Sequence, residues 1–450
     1  MKRIALVLWA LIFAATGLAT PAVAQPQTVL LHRYTWDADM INSDDVHEIG
    51  YKGAGVYIAV LDTGLVPNWR DYFPEERIAV KLAKGFWEPV QVDPTTGDLV
   101  GAGFVKETSW VGSTLSAHGT HVISTIVGYN YLAPPDAAAG LPLPPLFIEG
   151  IAPDATIVPI KVLTTYNLPP YTGKEGVVFG TSRAVAAGIY YATKLKIQGY
   201  SPMVISMSLG ADEPSEEIEE AIDYAIANGV IVVAAAGNDG EAGMGWPGAY
   251  PQVISAGASG WKYEWYWPSN DYDPPRPPPR YRLWWLQDTT HGYRDIPEPT
   301  PVDDVYVTDF SSREKDDRVP GYDQQLDVLA PGSWVRGPFP AYPGYNHLPW
   351  WAPGNGWANA QVPLLNFFYV GGTSMATPHV SAVAALMLGK NPTLTQSEVE
   401  YILKSTALQI PSNTGMLVFD ISSFVTYSWD EPEATGTGLI QADAAVAEVP

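Results

Sequence analysis

Five short, almost uninterrupted apolar runs decide what this chain can fold into. Val56 to Leu61, Thr156 to Val162, Met203 to Met207, Val230 to Ala235 and Val253 to Ala256 are dominated by Val, Ile, Leu, Met and Ala. A strand without polar alternation is buried on both faces, which is the signature of a parallel sheet rather than of a meander with one wet side. Helical patterns separate these runs at His118 to Val127, Gly180 to Leu195 and Ser215 to Asn228. The last opens with Ser215 as N-cap and an acidic first turn, then places Ile218, Ala221, Ile222 and Ala225 on one face. Two more helices are expected, from about Ser374 to Leu388 and from Thr395 to about Ser405. This alternation predicts an α/β fold, a doubly wound, mostly parallel sheet with helices on both faces.

Three segments break the rhythm, at residues 129–149, 260–307 and 332–363. Strand-like or helical patterns resume after each, so they read as surface insertions on one domain, residues 25–450, rather than as linkers between domains. They account for most of an odd composition: of 16 tryptophans, nine (Trp261, Trp265, Trp267, Trp284, Trp285, Trp334, Trp350, Trp351 and Trp357) fall in the last two insertions, along with many of the 41 prolines. Such residues let long loops pack at low entropic cost; the alternative is that they rim a cleft or form a contact patch for a partner or polymeric substrate.

Lys2 and Arg3 precede an apolar run from Ile4 to about Leu18, and Ala22-Val23-Ala24 supplies a small-x-small cleavage pattern. Residues 1–24 therefore read as a secretory signal peptide, the run being shorter than the ~20 residues a spanning helix needs. The expected product is secreted, extracellular or periplasmic, and free of the membrane once the signal is cleaved. With 48 acidic residues against 25 basic ones, the net charge of -23 argues against nucleic acid as a partner. The absence of cysteine excludes disulfides, thiolate metal sites and cysteine nucleophiles.

Polar residues at the ends of the apolar runs carry the chemistry. Asp62 closes the first run and is followed by Thr63-Gly64; Asn238 follows the run ending at Ala235; His118 and Ser374 open helices. Strand ends are where α/β sheets place reactive groups. A serine at a helix N-terminus has free backbone N–H groups beside it, as an acyl-transfer oxyanion requires. Each element has an ordinary alternative, an N-cap for Ser374 and a turn for Gly237-Asn238-Asp239-Gly240. His118 and His121 lack the intervening Glu of a zinc helix, Gly53-Ala54-Gly55 precedes a strand rather than following one, and His379 is too near Ser374 to be the distant partner of a Ser, acid, His order.

The order Asp62, His118, Ser374, with Asn238 between the last two, is the chain order of the subtilisin arrangement. The sequence resembles the subtilisin-like serine proteases through Val60-Leu61-Asp62-Thr63-Gly64, His118-Gly119-Thr120-His121-Val122, Ile205-Ser206-Met207-Ser208-Leu209-Gly210, Ala234-Ala235-Ala236-Gly237-Asn238, Trp246-Pro247-Gly248, Leu329-Ala330-Pro331-Gly332 and Gly372-Thr373-Ser374-Met375-Ala376-Thr377-Pro378-His379-Val380. The closing segment Gly436-Thr437-Gly438-Leu439-Ile440-Gln441-Ala442-Asp443-Ala444-Ala445 is similar as well.

This resemblance implies a subtilisin-like fold of about seven sheet strands and a secreted serine endopeptidase, monomeric and acting on proteins or peptides. Ser374 would be the nucleophile, His118 the base, Asp62 the carboxylate that orients it, and Asn238 with the Ser374 N–H the oxyanion hole. Ser208, Leu209 and Gly210 would form one wall of the P1 side-chain pocket, Ala235, Ala236 and Gly237 the other, with Gly245 near the base. Those small residues, with no acid at the floor, favour a large apolar or aromatic side chain, while Asp239 stands at the rim where it could admit a basic one. His121 and His379 are assigned to packing. No cofactor is required for the chemistry. Asp71 matches a family calcium ligand and is the candidate for structural calcium, although the loop expected to complete that site is replaced by Tyr129 to Glu149, poor in liganding side chains. The roughly eleven residues between Ala24 and Trp36 leave no room for the folding propeptide usual in secreted relatives. The alternative is a subtilase-fold protein that is non-catalytic or narrowly self-processing.

Overall fold

The computed structural model describes residues 35–450 except 114–115, 132–145, 167–176, 263, 267–280, 283–295, 316–317, 341–366, 411–414, 421–422 and 428–432. Residues 1–24, expected to be a signal peptide, and Trp267, Trp284, Trp285, Trp350, Trp351 and Trp357 lie outside the described residues.

The central sheet has eleven strands: β1 Tyr57–Asp62, β2 Lys84–Trp87, β3 Lys106–Thr108, β4 Thr156–Lys161, β5 Met203–Met207, β6 Ile231–Ala235, β7 Ile254–Trp261, β8 Val305–Thr308, β9 Val328–Pro331, β10 Gly415–Asp420 and β11 Ser423–Tyr427. Across the sheet the order is β11-β10-β8-β7-β6-β5-β1-β4-β2-β3, with β9 also paired to β7. From β2 through β4, β1, β5, β6 and β7 to β9 every pairing is parallel. β3 and β8 join it antiparallel, and β11 pairs antiparallel with β10. The doubly wound, mostly parallel sheet read from the sequence is therefore present, extended by antiparallel strands.

Side-chain alternation splits each central strand between two cores. On β1, Ile58 and Val60 join a cluster with Val122 and Ile126 of one helix and Val380 and Val383 of another. Ala59 and Leu61 face the other way, toward Val185, Ile189, Ile218 and Ile222. All six residues Val56, Ile58, Ala59, Val60, Leu61 and Val122 are at most 1% exposed, and burying each large aliphatic side chain contributes about 1.5–3 kcal/mol.

The helices are α1 Trp36–Asp39, α2 Ser43–Glu48, α3 Ala117–Val127, α4 Ser182–Ile197, α5 Glu216–Ala227, α6 Thr373–Lys390, α7 Gln396–Thr406 and α8 Ala442–Glu448. Thr181 caps α4, accepting from the Ala184 N–H at 3.3 Å, and Thr395 with Glu398 forms a capping box on α7. Helices α3 and α6 pack on one face of the sheet, α4 and α5 on the other. Tyr129–Tyr131 pairs with Leu146–Ile148, and Val335–Pro338 with Phe367–Val370. Trp261 ends β7 at 1% exposure.

A buried polar knot fastens β9 to the rest. Asp327, fully buried, accepts from the Ser255 N–H at 2.9 Å, from Gln325 Nε2 at 2.6 Å and from Lys404 Nζ at 2.7 Å, so one carboxylate joins β7, β9 and α7. Without Asp327, Lys404 keeps Glu400 at 3.3 Å, but the buried Ser255 N–H loses its acceptor. Asp327→Ala is expected to lose about 1–3 kcal/mol of stability, read as a lower urea midpoint; an unchanged midpoint would show that the knot is dispensable.

Candidate active site

Because both faces of the central strands are apolar, polar side chains are left to the strand ends. Asp62 is the last residue of β1 and 1% exposed. Its Oδ1 accepts the Thr63 N–H at 2.6 Å, and both carboxylate oxygens face His118 Nδ1, at 2.8 and 3.0 Å. His118 is the second residue of α3, and the contact needs that helix to start against the strand end. Gly119 permits it: a Cβ there would lie 2.6 Å from the Gly64 carbonyl oxygen and 3.0 Å from Asp62 Oδ1. Gly64, at φ +77°, turns the chain away beneath the Trp110 carbonyl, where a Cβ would sit 2.1 Å from the oxygen. Burial pulls the His118 pKa down, but the Asp62 charge and hydrogen bond outweigh it, so the net pKa is raised above the ordinary value.

Ser374 stands second in α6, which packs against α3. Pro378, four residues on, has no N–H to give the Ser374 carbonyl. Ser208, just beyond β5, takes over: its Oγ donates to that carbonyl at 2.7 Å, while the Ser374 hydroxyl faces the Ser208 carbonyl at 3.4 Å. Among the described residues that is the hydrogen bond the Ser374 hydroxyl makes, and none joins it to His118. Asn238, beyond β6, has its Oδ1 fixed by the Thr373 N–H at 2.8 Å and the Thr373 hydroxyl at 3.0 Å. With the oxygen held there, its amide NH₂ is left for a ligand. His379 does more than pack: its Nδ1 donates to the Met375 carbonyl at 2.8 Å and its Nε2 meets buried Asp37 at 3.0 Å, tying α1 to the helix that carries Ser374. His121, fully buried, meets the Val335 carbonyl at 3.0 Å.

A cleft of about 240 Å³ adjoins Ser374 and is lined by Leu209, Gly210, Ala235, Gly237, Asn238 and Gly245 among others. Ser208 and Ala236, expected in its walls, are not among the lining residues; both are buried, and Ser208 is occupied with Ser374. Asp212 and Asp239 do line it. Arg318 bridges them, 2.9 Å from Asp212 and 3.4 Å from Asp239, while donating to the Gly243 and Met244 carbonyls. Asp212 and Arg318 lie outside the sequence motifs, and only tertiary contact brings them together. Asp71 is exposed, in the 3-10 turn Trp69–Asp71, where its carboxylate accepts from Asn68 at 3.0 Å. No group of three His, Asp or Glu suited to a metal occurs among the described residues. No helix among the described residues is long and apolar enough to cross a membrane.

Comparison with known proteins follows the same lines. The sequence profile of the subtilase family matches residues 53–423. Subtilisin DY of Bacillus licheniformis is 28% identical over 82% of this chain and 90% of its own length. M-protease of Shouchella clausii (strain KSM-K16) is 26% identical over 93% of this chain and 71% of its own. Among solved structures, sphericase superposes with a TM-score of 0.50 at 24% identity, covering 90% of this chain and 97% of that one, which speaks to the fold.

The Ser208 bond gives a direct test of how Ser374 is held. Ser208→Ala leaves the Ser374 carbonyl without its partner and should cost about 1–3 kcal/mol in urea unfolding. An unchanged midpoint would mean that the carbonyl is satisfied without Ser208.

Proposed function

The chain belongs to the subtilase family and is a serine endopeptidase, and within that activity we propose that Ser374 is the nucleophile, His118 its base and Asp62 the carboxylate that orients His118. The observation that carries this reading is the Asp62–His118 pair at 2.8 Å, with His118 and Ser374 in the first turns of two packed helices. In the neutral imidazole Nδ1–H donates to Asp62, which leaves Nε2 with its lone pair as the proton acceptor.

On this reading, substrate binding draws the Ser374 hydroxyl from the Ser208 carbonyl toward His118, consistent with looser contacts before substrate is bound. Ser374 Oγ attacks the peptide carbonyl carbon as its proton passes to Nε2, and the carbonyl π pair moves onto oxygen. The Asn238 amide and the Ser374 backbone N–H receive that oxyanion. Collapse expels the amine, which takes the proton from His118, and leaves an acyl-enzyme on Ser374. Water then repeats the sequence, giving up its proton to His118 and releasing the acid. Asp62 keeps its charge throughout and stabilises the imidazolium.

Protein or peptide chains are the substrates, and the 240 Å³ cleft is the place for the P1 side chain. Its small wall residues favour a large apolar or aromatic group, and Arg318 between Asp212 and Asp239 offsets the acidity that would draw a basic one. We also propose that residues 1–24 export the chain and that 25–450 act as one monomeric catalytic domain, a reading that rests on the sequence pattern.

A serine-directed fluorophosphonate should label the wild type and not Ser374→Ala. Absence of labelling in the wild type would sink the catalytic reading, while labelling without casein cleavage would select the narrow, self-processing alternative. Asn238→Ala should lower kcat by roughly 10² to 10³, a magnitude established for such a donor in a subtilisin rather than derived from this geometry. The pH profile has a definite sign. His118 acts only when unprotonated, and Asp62 raises its pKa, so activity appears as pH rises through that raised value. Asp62→Asn removes the raising charge and leaves burial, so residual activity, reduced about 10⁴-fold, should have its acid limb at lower pH. A limb that stays in place would assign it to another group.

A further inference from the structure

A second cleft, of about 220 Å³, is lined by Thr63 and Ser116, which are adjacent to Asp62 and two residues from His118, and it shares no lining residue with the cleft at Ser374. Lys161, the last residue of β4, opens into it. This lysine is in register with Asp62 on β1 and with Gly85 on β2, and its stem passes close to Gly64, whose added Cβ would lie 3.1 Å from that of Lys161. It is 7% exposed, yet among the described residues its ammonium makes no hydrogen bond or ion pair. Other partly buried cations here are matched: Lys404 with Asp327, Lys52 with Glu149, Arg318 with Asp212 and Asp239.

Burial lowers the Lys161 pKa to about 8, so the group keeps most of its proton at neutral pH. Its stem is buried while its ammonium reaches the cleft, and a protein of net charge -23 places no carboxylate against that charge among the described residues. The remaining wall is rich in hydroxyls, with Ser113, Thr164 and Thr165 beside Thr63 and Ser116. The Ser116 hydroxyl is spent on the Thr63 carbonyl at 2.8 Å, but a cation in a cleft that also carries Ser113, Thr164 and Thr165 fits an anionic oxygen ligand. The same net charge repels free anions at long range, whereas a carboxylate on a peptide already held across His118 is delivered by its neighbours.

Resting on the reading of Asp62, His118 and Ser374 as catalytic, we propose that this pocket is a second specificity subsite, in which Lys161 takes the side-chain carboxylate of an Asp or Glu in the peptide substrate. It is distinct from the cleft for the P1 side chain and sets where along the substrate an acidic residue is favoured.

The test uses fluorogenic peptides that differ only by Glu or Gln, moved one position at a time along both sides of the scissile bond. For the wild type, kcat/KM should favour Glu about tenfold at one position, the worth of one charge-assisted hydrogen bond. In Lys161→Met that ratio should fall to about one, and in Lys161→Arg the preference should persist. Equal rates for every Glu and Gln pair in the wild type, or a Glu preference that survives in Lys161→Met, overturns the proposal. Lys161-dependent inhibition by inorganic phosphate without any Glu preference also overturns it and assigns the pocket to a free anion. Binding of the same pairs to Ser374→Ala separates this proposal from the catalytic one. Tighter Glu binding with no cleavage by the wild type supports the subsite while the catalytic reading fails; cleavage with no Glu effect does the reverse.

Discussion

Two-sided burial of the parallel strands is the constraint from which the rest follows. A central strand that is apolar on both faces has no lateral position for a reactive polar group, so function is displaced to the ends of β1, β4, β5 and β6. Asp62, Lys161, Ser208 and Asn238 all occupy such positions, at or just beyond a strand's last residue. The parallel arrangement then gathers them along one edge of the sheet, because strands running the same way end on the same side. Helices α3 and α6 begin at that edge, and each contributes a side chain from its first turn.

Backbone chemistry fixes the two helix starts. Gly119 lets α3 approach the end of β1 closely enough for a 2.8 Å contact between His118 and Asp62. In α6 the determining residue is Pro378, whose missing N–H frees the Ser374 carbonyl for Ser208 and so links the helix to β5. The Thr373 clamp on Asn238 adds a link to β6, and the His379–Asp37 pair a link to α1. Ser374 is thus held by a helix tethered from several directions, each tether made by a neighbouring residue rather than by the serine itself.

Much of this was legible in the sequence, for physical reasons. Four of the five apolar runs and all five helical patterns appear as elements with ends shifted by no more than two residues, because continuous apolarity and 3.6-residue periodicity are strong local signals, whereas the run at Val253 to Ala256 continues as β7 to Trp261, into the segment read as an insertion. The sequence pattern does not mark β2, β3, β8 and β9, only three or four residues long, nor the longer β10 and β11; all are specified by pairing more than by composition. Asp62, His118, Asn238 and Ser374 could be picked out because each sits at a strand end or helix start that the pattern itself marks. Ser208 was read as a pocket wall because its bond to the Ser374 carbonyl depends on a proline 170 positions further along, a relation visible only in three dimensions. Arg318 was missed for the same reason: 106 positions separate it from Asp212.

The charge distribution gains a different meaning once the edge of the sheet is assembled. A net charge of -23 describes the far field, which falls off over about 8 Å at physiological ionic strength. Within the site local groups dominate, and the two clefts there differ. The one beside Ser374 carries two carboxylates with one arginine between them, which leaves it a net negative charge. The one beside Thr63 carries an ammonium on a buried stem at the end of β4, where a contact is less screened than on the open surface. On the proposed reading, a peptide spanning both meets a net negative charge at one end and a positive charge at the other. The asymmetry favours one placement of an acidic residue relative to the scissile bond without any change to the residues that carry out the reaction.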